Sequence, residues 1–240
     1  DIDPAEIGKN VNAHIPIVGD VKSVLREFTK EIEACPCDEW LKKVQAAKKE
    51  APLRGEPRTD FVEPRAFMRD LSAMMEDDAI LTADVGQNQI WAANNFNTKE
   101  GRFLTSGGMG TMGYALPAAI GAKLAKPKRQ VVAVCGDGSF QMSMCELATA
   151  NQNQVPLKLV VMRNKFLGMV KELQDNLYQG RHVATPLNGD PDIVKLVQAY
   201  GIKAVFAQNN EDAKKLAKEM LESKEAYVLV CDVDPNTPSI

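Results

Sequence analysis

The chain has 240 residues, of which 45% are hydrophobic and 25% charged, and its formal net charge is −3. That length allows one large domain or one and a half, with a sizeable core. The mild negative charge without a basic block speaks against a nucleic-acid partner, and no apolar run approaches a membrane span.

The chain opens "DIDPAEIGKN", without Met, and reads as cut from something longer. Residues 1–30 look like the tail of one unit, with "AHIPIVGDVKSVLREFTKEI" predicting a short strand and then an amphipathic helix. Residues 31–60 read as a linker, charged and with three Pro, whose "EWLKKVQAAKKE" predicts a solvated helix. The main domain is placed at 61–240. There "EPRAFMRDLSAMM" predicts a helix with Pro64 in its first turn, "AILTAD" a strand, and "GRFLTSG" at most a stub of one. "YALPAAIGAKLA" is a helix of small residues and "QVVAVC" a strand. "FQMSMCELATANQN" is a helix with a capping box from Ser143 and Glu146. "LKLVVM", "KAVFA" and "AYVLVCDV" are strands, separated by helices over "PDIVKLVQAY" and "NEDAKKLAKEMLES". Strands apolar throughout and alternating with helices predict an α/β fold, a three-layer parallel sheet with helices on both faces.

Five scattered Cys, an odd number, indicate a reducing, cytoplasmic setting. Cys135, Cys145 and Cys231 read as buried apolar residues, and Cys35 and Cys37 as a reduced loop. With only His14 and His182, a Ser-His-Asp or Cys-His engine is improbable.

The chemistry concentrates in "VVAVCGDGSFQMSMCELATANQNQVPLKLVVMRNKF". Its strand, helix and strand form a unit whose parallel strands end on one sheet edge, where open parallel sheets bind ligands. Asp137 follows the first strand and Asn164 the second. Their oxygens suit a hard cation such as Mg²⁺. One carboxylate and one amide leave such a cation under-neutralised, and a diphosphate would supply the missing charge. Gly136 and Gly138 let phosphate approach the backbone, Ser139 offers a hydroxyl, and the next helix offers free N–H groups. The plain alternative is a Gly-rich turn with Asp137 as a helix cap; the paired Asn favours the clamp. "GMGTMG" at 108–113 competes as a dinucleotide fingerprint with Asp137 as its ribose acid, but that reading leaves Asn164 unexplained.

The spacing from "GDGS" to Asn164 resembles the thiamine-diphosphate motif. "DVGQNQIWAANNF", "LTSGGMGTMGYALPAAIGAKLA", the stretch 136–164 and "LGMVKELQ" together resemble the C-terminal half of the acetolactate synthase catalytic subunit. Residues 1–25 resemble the end of that family's middle domain. The resemblance implies the thiamine-diphosphate-binding fold. It also implies Mg²⁺ on the Asp137 and Asn164 side chains and the Phe166 carbonyl, with diphosphate along Gly136, Gly138 and Ser139. Val85, Gly86, Gln87 and Asn88 would lie near the diphosphate; the family often has His at Asn88. Gly110 and Met112 would hold the aminopyrimidine, with Met112 under the bend between the two rings. Leu167, Gly168 and Met169 would close over the cofactor. Taken alone, Met112 and Met169 read as ordinary core filler.

The implied reaction is decarboxylation of pyruvate and ligation to a second 2-oxo acid, giving 2-acetolactate in branched-chain amino-acid synthesis. Another oxo-acid decarboxylase, a pyruvate oxidase or a sulfoacetaldehyde acetyltransferase is the nearest alternative. The resemblance further implies a homodimer or larger homo-oligomer, a possible regulatory small subunit, and FAD only in a full-length protein. The activating Glu is expected in an N-terminal domain, so no catalytic residue is assigned here and the chain alone is expected to be inactive. Leu173 stands where many members carry Trp, which leaves the acceptor open. Lys171 and Arg181 are expected on a solvated face, with a place near a substrate carboxylate as the alternative.

Overall fold

The computed structural model describes residues 1–50, 60–189 and 191–240. The chain divides into two units, Asp1–Pro52 and Leu53–Ile240. Residues 51–59 of the expected linker lie outside the described residues.

In the first unit a short 3₁₀ turn, Pro4–Glu6, precedes two helices, α1 (Val21–Glu31) and α2 (Asp38–Glu50). Asp20 caps α1, accepting from the Ser23 amide at 2.9 Å. The strand expected within residues 13–19 does not form. A strand needs a neighbour for its backbone groups, and this segment is met among the described residues by a single residue, Asp1, which donates to the Ile17 carbonyl at 3.2 Å and accepts the Gly19 amide at 2.9 Å; Ile15 and Val18 are exposed.

The second unit runs α3 (Pro64–Met74), β1 (Ile80–Ala83), α4 (Gln87–Asn95), β2 (Arg102–Thr105), α5 (Ala115–Ala125) and β3 (Val131–Gly136). It continues α6 (Asp137–Ser143), α7 (Glu146–Gln152), β4 (Lys158–Arg163), α8 (Gly168–Tyr178), α9 (Ile193–Ala199), β5 (Lys203–Ala207), α10 (Asn210–Glu222) and β6 (Tyr227–Asp232). The strands form one sheet in the order β2-β1-β3-β4-β6-β5, parallel at every pairing. Successive strand residues point to opposite faces, and both faces are apolar. Leu81, Val132, Val134, Val160 and Leu229 pack under α3, α4 and α10. Ile80, Val131, Ala133, Leu159 and Val228 pack under α5, α7 and α9. Each such Val, Leu or Ile side chain, fully buried, is worth roughly 1.5–3 kcal/mol. The expected three-layer α/β sheet is therefore what forms.

Four local expectations give way. The stub at "GRFLTSG" is a full edge strand, as long as β1. The helix expected from Phe140 starts instead at Asp137 and breaks at Met144–Cys145 into α6 and α7. The capping box does not form: the Ser143 hydroxyl is buried with no partner among the described residues, and Glu146 takes the Thr149 hydroxyl at 2.7 Å. The break also leaves Cys145 exposed, whereas Cys135 and Cys231 are buried as expected. Two further helices, α4 and α8, form beyond those predicted.

Two positions expose the packing to test. An added Cβ at Gly101 would lie 1.8 Å from the Ala79 carbonyl oxygen, which is backbone and cannot swing aside. Gly101→Ala is expected to cost about 1–3 kcal/mol, read from the urea midpoint. Lys158 opens β4 with only 5% of its surface exposed, its ammonium donating to the Glu225 carbonyl. Burial first, then Lys123, lowers its pKa from 10.5 to about 8. Between these values the unfolded chain holds a proton that the folded chain has released, so stability gains as pH rises through that window. At pH 7 both states are charged and the burial penalty stands in full. Lys158→Met is expected to stabilise at pH 7 by on the order of 1 kcal/mol, with the advantage shrinking from pH 8 to 10.5. A pH-independent effect in urea titrations would refute the assignment.

Candidate functional site

Parallel register aligns Gly136 at the end of β3 with Met162 on β4. Asp137 and Asn164 therefore emerge from neighbouring strands on the same edge. Their segments are tied directly: one Asp137 carboxylate oxygen accepts the Lys165 amide at 2.7 Å, the other the Gly138 amide at 3.0 Å. Both residues are buried, at 1% and 7% exposure. Lys165 sits at φ +61°, a conformation strained for a side chain with a Cβ. An antiparallel contact then holds the following residues, with the Leu167 amide donating to the Thr185 carbonyl and the Leu187 amide to the Lys165 carbonyl, both at 2.9 Å. Phe166 lies between these two bonds, opposite Pro186, so its carbonyl is not one that the ladder uses.

These elements wall a cleft of about 570 Å³, counting its open mouth. Every residue singled out as a site residue from the sequence lines it except Gly110. Gly110 lies exposed in the turn before α5, at φ +64°, donating its amide to the Ser106 carbonyl at 3.0 Å. The six-residue "GMGTMG" turn sends only Met112 into the cleft. Because β1 separates β2 from β3, Asp137 does not end the strand next to β2, as the acid of a dinucleotide unit would.

Close approach explains the glycines. A Cβ on Gly138 would lie 2.7 Å from Leu167, and one on Gly168 would lie 2.0 Å from the Gln87 side-chain oxygen and 2.7 Å from the Asn164 amide nitrogen. Gly86, with φ 145° and ψ −170°, is in a region that only glycine populates freely. Asn88 is buried and its amide donates to the Asp84 carbonyl at 2.8 Å. The Ser139 hydroxyl turns inward: it donates to the Gly136 carbonyl at 3.2 Å and accepts from the Gly136 amide at 3.1 Å.

Asp84, which the sequence reading passed over, organises the adjoining wall. Its carboxylate accepts the Val85 and Gly113 amides on one oxygen, at 2.8 and 2.9 Å, and the Ala115 amide on the other at 2.8 Å. It thereby shapes the glycine turn that carries Met112 and starts α5. Burial raises its carboxyl above the ordinary aspartate value, while the Ala115, Gly113 and Val85 amides pull it back. The signal was present, since Asp84 ends an apolar strand as Asp137 does. Trp91, Met162 and Val170 also line the cleft; nothing in their local sequence distinguishes them from core.

One residue of α8 departs from expectation. Lys171 is buried, not solvated; its ammonium donates to Asp175 at 3.0 Å and Asn236 at 3.3 Å and lies 5.6 Å from the Phe166 ring centre. That contact pulls the Asp175 carboxyl below its ordinary value, with His182 adding to the effect. Leu173 is 52% exposed. Arg181 is exposed, as expected. No described helix is long and apolar enough to cross a membrane.

Residues 84–231 match the family model described as thiamine pyrophosphate enzyme, C-terminal TPP binding domain. The chain is 42% identical to the probable acetolactate synthase large subunit of Methanocaldococcus jannaschii, over 98% of this chain and 42% of that protein. It is 39% identical to the acetolactate synthase isozyme 3 large subunit of Escherichia coli K12, over 92% of this chain and 40% of that one. For the acetolactate synthase large subunit of Lactococcus lactis the identity is 38%, over 95% and 42%. The chain thus spans about two fifths of the length of these curated relatives. With the cleft at the strand ends falling inside the matched region, the chain belongs to the thiamine pyrophosphate enzymes and carries their C-terminal TPP-binding domain.

Proposed function

We propose that this chain is the cofactor-binding part of an acetolactate synthase large subunit. In that role it would serve decarboxylation of pyruvate and its ligation to a second 2-oxo acid, giving 2-acetolactate for branched-chain amino-acid synthesis. The observation that carries the cofactor part is the juxtaposition of Asp137 and Asn164, bound together through the Lys165 amide. The reaction rests on the likeness to the acetolactate synthase large subunits.

The donor set fits the cation. Asp137 and Asn164 would hold Mg²⁺ through side-chain oxygens and Phe166 through its carbonyl, a hard, oxygen-only set. Gly136 and Gly138 present bare backbone where a diphosphate would approach, with Val85, Gly86, Gln87, Asn88 and Ser139 around it. Met112 and, outside the present cleft, Gly110 would support the aminopyrimidine. Leu167, Gly168 and Met169 would exclude water from above. Bound there, thiamine diphosphate supplies the nucleophilic carbon and the electron sink for decarboxylation. The resemblance to the family puts the activating Glu outside this chain, supplied from elsewhere in the assembled protein. Leu173 keeps a second reading open, a related thiamine enzyme with another acceptor, which product analysis with mixed 2-oxo acids would separate.

The test is calorimetric titration of the protein with thiamine diphosphate, with and without Mg²⁺, and of Asp137→Ala. Binding is expected to require Mg²⁺ and to weaken at least ~100-fold in the variant, since ligand loss should exceed the 10–100-fold typical of outer-shell changes. Equal binding by both proteins, or indifference to Mg²⁺, would refute the clamp.

A further inference from the structure

Asn164 and Gln87 are both amides, and either end of an amide fits a cavity of its size. One end donates and the other accepts, so something must choose. The choice is made by two acceptors, Glu172 on α8 and the Thr237 carbonyl in the segment that Glu172 fastens. Glu172 carries a carboxylate which, ionised, only accepts. It takes a hydrogen bond from the Gln87 amide nitrogen at 3.1 Å, and the Thr237 carbonyl takes another from the same nitrogen at 3.1 Å. Two acceptors on one side oblige Gln87 to turn its oxygen the other way. There it meets the Asn164 amide nitrogen, which donates at 3.0 Å. The Asn164 oxygen is consequently directed away from Gln87, where it accepts the Phe166 amide at 3.0 Å in the cleft wall. With Asn164 reversed, two oxygens would face each other and a buried N–H group would lack a partner, which is costly.

Glu172 is itself fastened by the segment after β6. The Ser239 hydroxyl donates to it at 2.6 Å and the Ser239 amide at 3.2 Å. The same segment accepts from Trp91 on α4 through the Pro238 carbonyl at 2.9 Å, and from Lys171 through Asn236 at 3.3 Å. Gln87, Asn164 and Ser239 are buried, while Glu172 and Thr237, which join them, are part-buried.

We propose that Glu172, held by residues 236–239, is a positioning residue that acts through Gln87 to aim the Asn164 oxygen at a divalent cation. This rests on the reading of Asn164 as a cation ligand; the relay of amide orientation is independent of it. An acceptor at position 172 is what the relay requires, not bulk and not charge as such.

The experiment compares Glu172→Met, which keeps the length and removes the acceptor, with Glu172→Gln, which keeps an acceptor oxygen. The first readout is the side-chain amide resonances of Asn164 and Gln87 in the ligand-free protein, assigned with Gln87→Met and Asn164→Asp. The second is Mn²⁺ affinity in the presence of thiamine diphosphate, by electron paramagnetic resonance. In Glu172→Met both amide pairs are expected to move toward solvated positions and Mn²⁺ affinity to fall about 10-fold or more. In Glu172→Gln both are expected to stay near wild type. Asn164 resonances unmoved in Glu172→Met, or Glu172→Gln behaving like Glu172→Met, would overturn the proposal. If Glu172→Met does not fold, Gln87→Met interrupts the same relay beyond Glu172 and must displace the Asn164 resonances. Asn164 displaced as expected, in a protein whose wild type shows no cation dependence, would keep the relay and discard the cation reading.

Discussion

The site hangs on one bond, the Asp137 carboxylate accepting the Lys165 amide at 2.7 Å. Parallel pairing of β3 with β4 brings the strand ends together, but the chain leaving β4 must then turn sharply enough to present Asn164 and Phe166 to the same side. It does so with Lys165 in the left-handed region, at a cost of about 1–3 kcal/mol for a residue with a side chain. A hydrogen bond to a charged acceptor returns about 1.5–3 kcal/mol, enough to offset the strain. Asp137 thus has two connected duties: it shapes the turn, and it supplies an oxygen to the cleft the turn creates. Removing it would disturb the geometry as well as the charge.

Around that bond the cleft is built by exclusion of side chains. α6 begins immediately at Asp137, so Gly138 lies in its first turn against Leu167, with no room for a methyl group. Gly168 does the same where α8 begins, against Gln87 and Asn164. Two helix starts are in this way drawn onto two strand ends. The same closeness lets α8 reach Gln87 through Glu172. A wall assembled from such contacts is intolerant of added volume, because the atoms met at Gly168 belong to amides that are themselves hydrogen-bonded.

The legible parts of this molecule were those governed by local pattern. Apolar strands alternating with helices predicted the parallel sheet, and the strand-helix-strand pattern put Asp137 and Asn164 on the one sheet edge where the cleft opens. Residues 85–88 joined them through resemblance. What local pattern could not show was long-range hydrogen bonding. Glu172 reads as an ordinary helix residue and Ser239 as part of a tail, yet they meet across 67 positions. Lys171 reads as a solvated cation because its cover, Asn236, lies 65 positions away. The failed capping box at Ser143 and Glu146 has the opposite cause: a local motif was present, but packing took the Ser143 hydroxyl inside. The strand expected near residue 15 failed because alternation describes a strand's faces without supplying its neighbour.

The charge pattern of the cleft carries one more consequence for the proposed cofactor. Asp137 is the only charged side chain among the residues that line it; no Lys, Arg or His does so among the described residues. A diphosphate entering such a site would meet a carboxylate of its own sign and no side-chain cation. Backbone amides and neutral side chains offer hydrogen bonds, but net charge of this size in a partly closed cleft demands neutralisation. A divalent cation on Asp137 and Asn164 would supply it, turning the carboxylate from a repulsive group into part of the binding site. Cation and diphosphate would then each require the other. In that arrangement the aim of the neutral Asn164 oxygen matters more than its modest dipole suggests, since with Asp137 alone the cation would keep only one side-chain ligand.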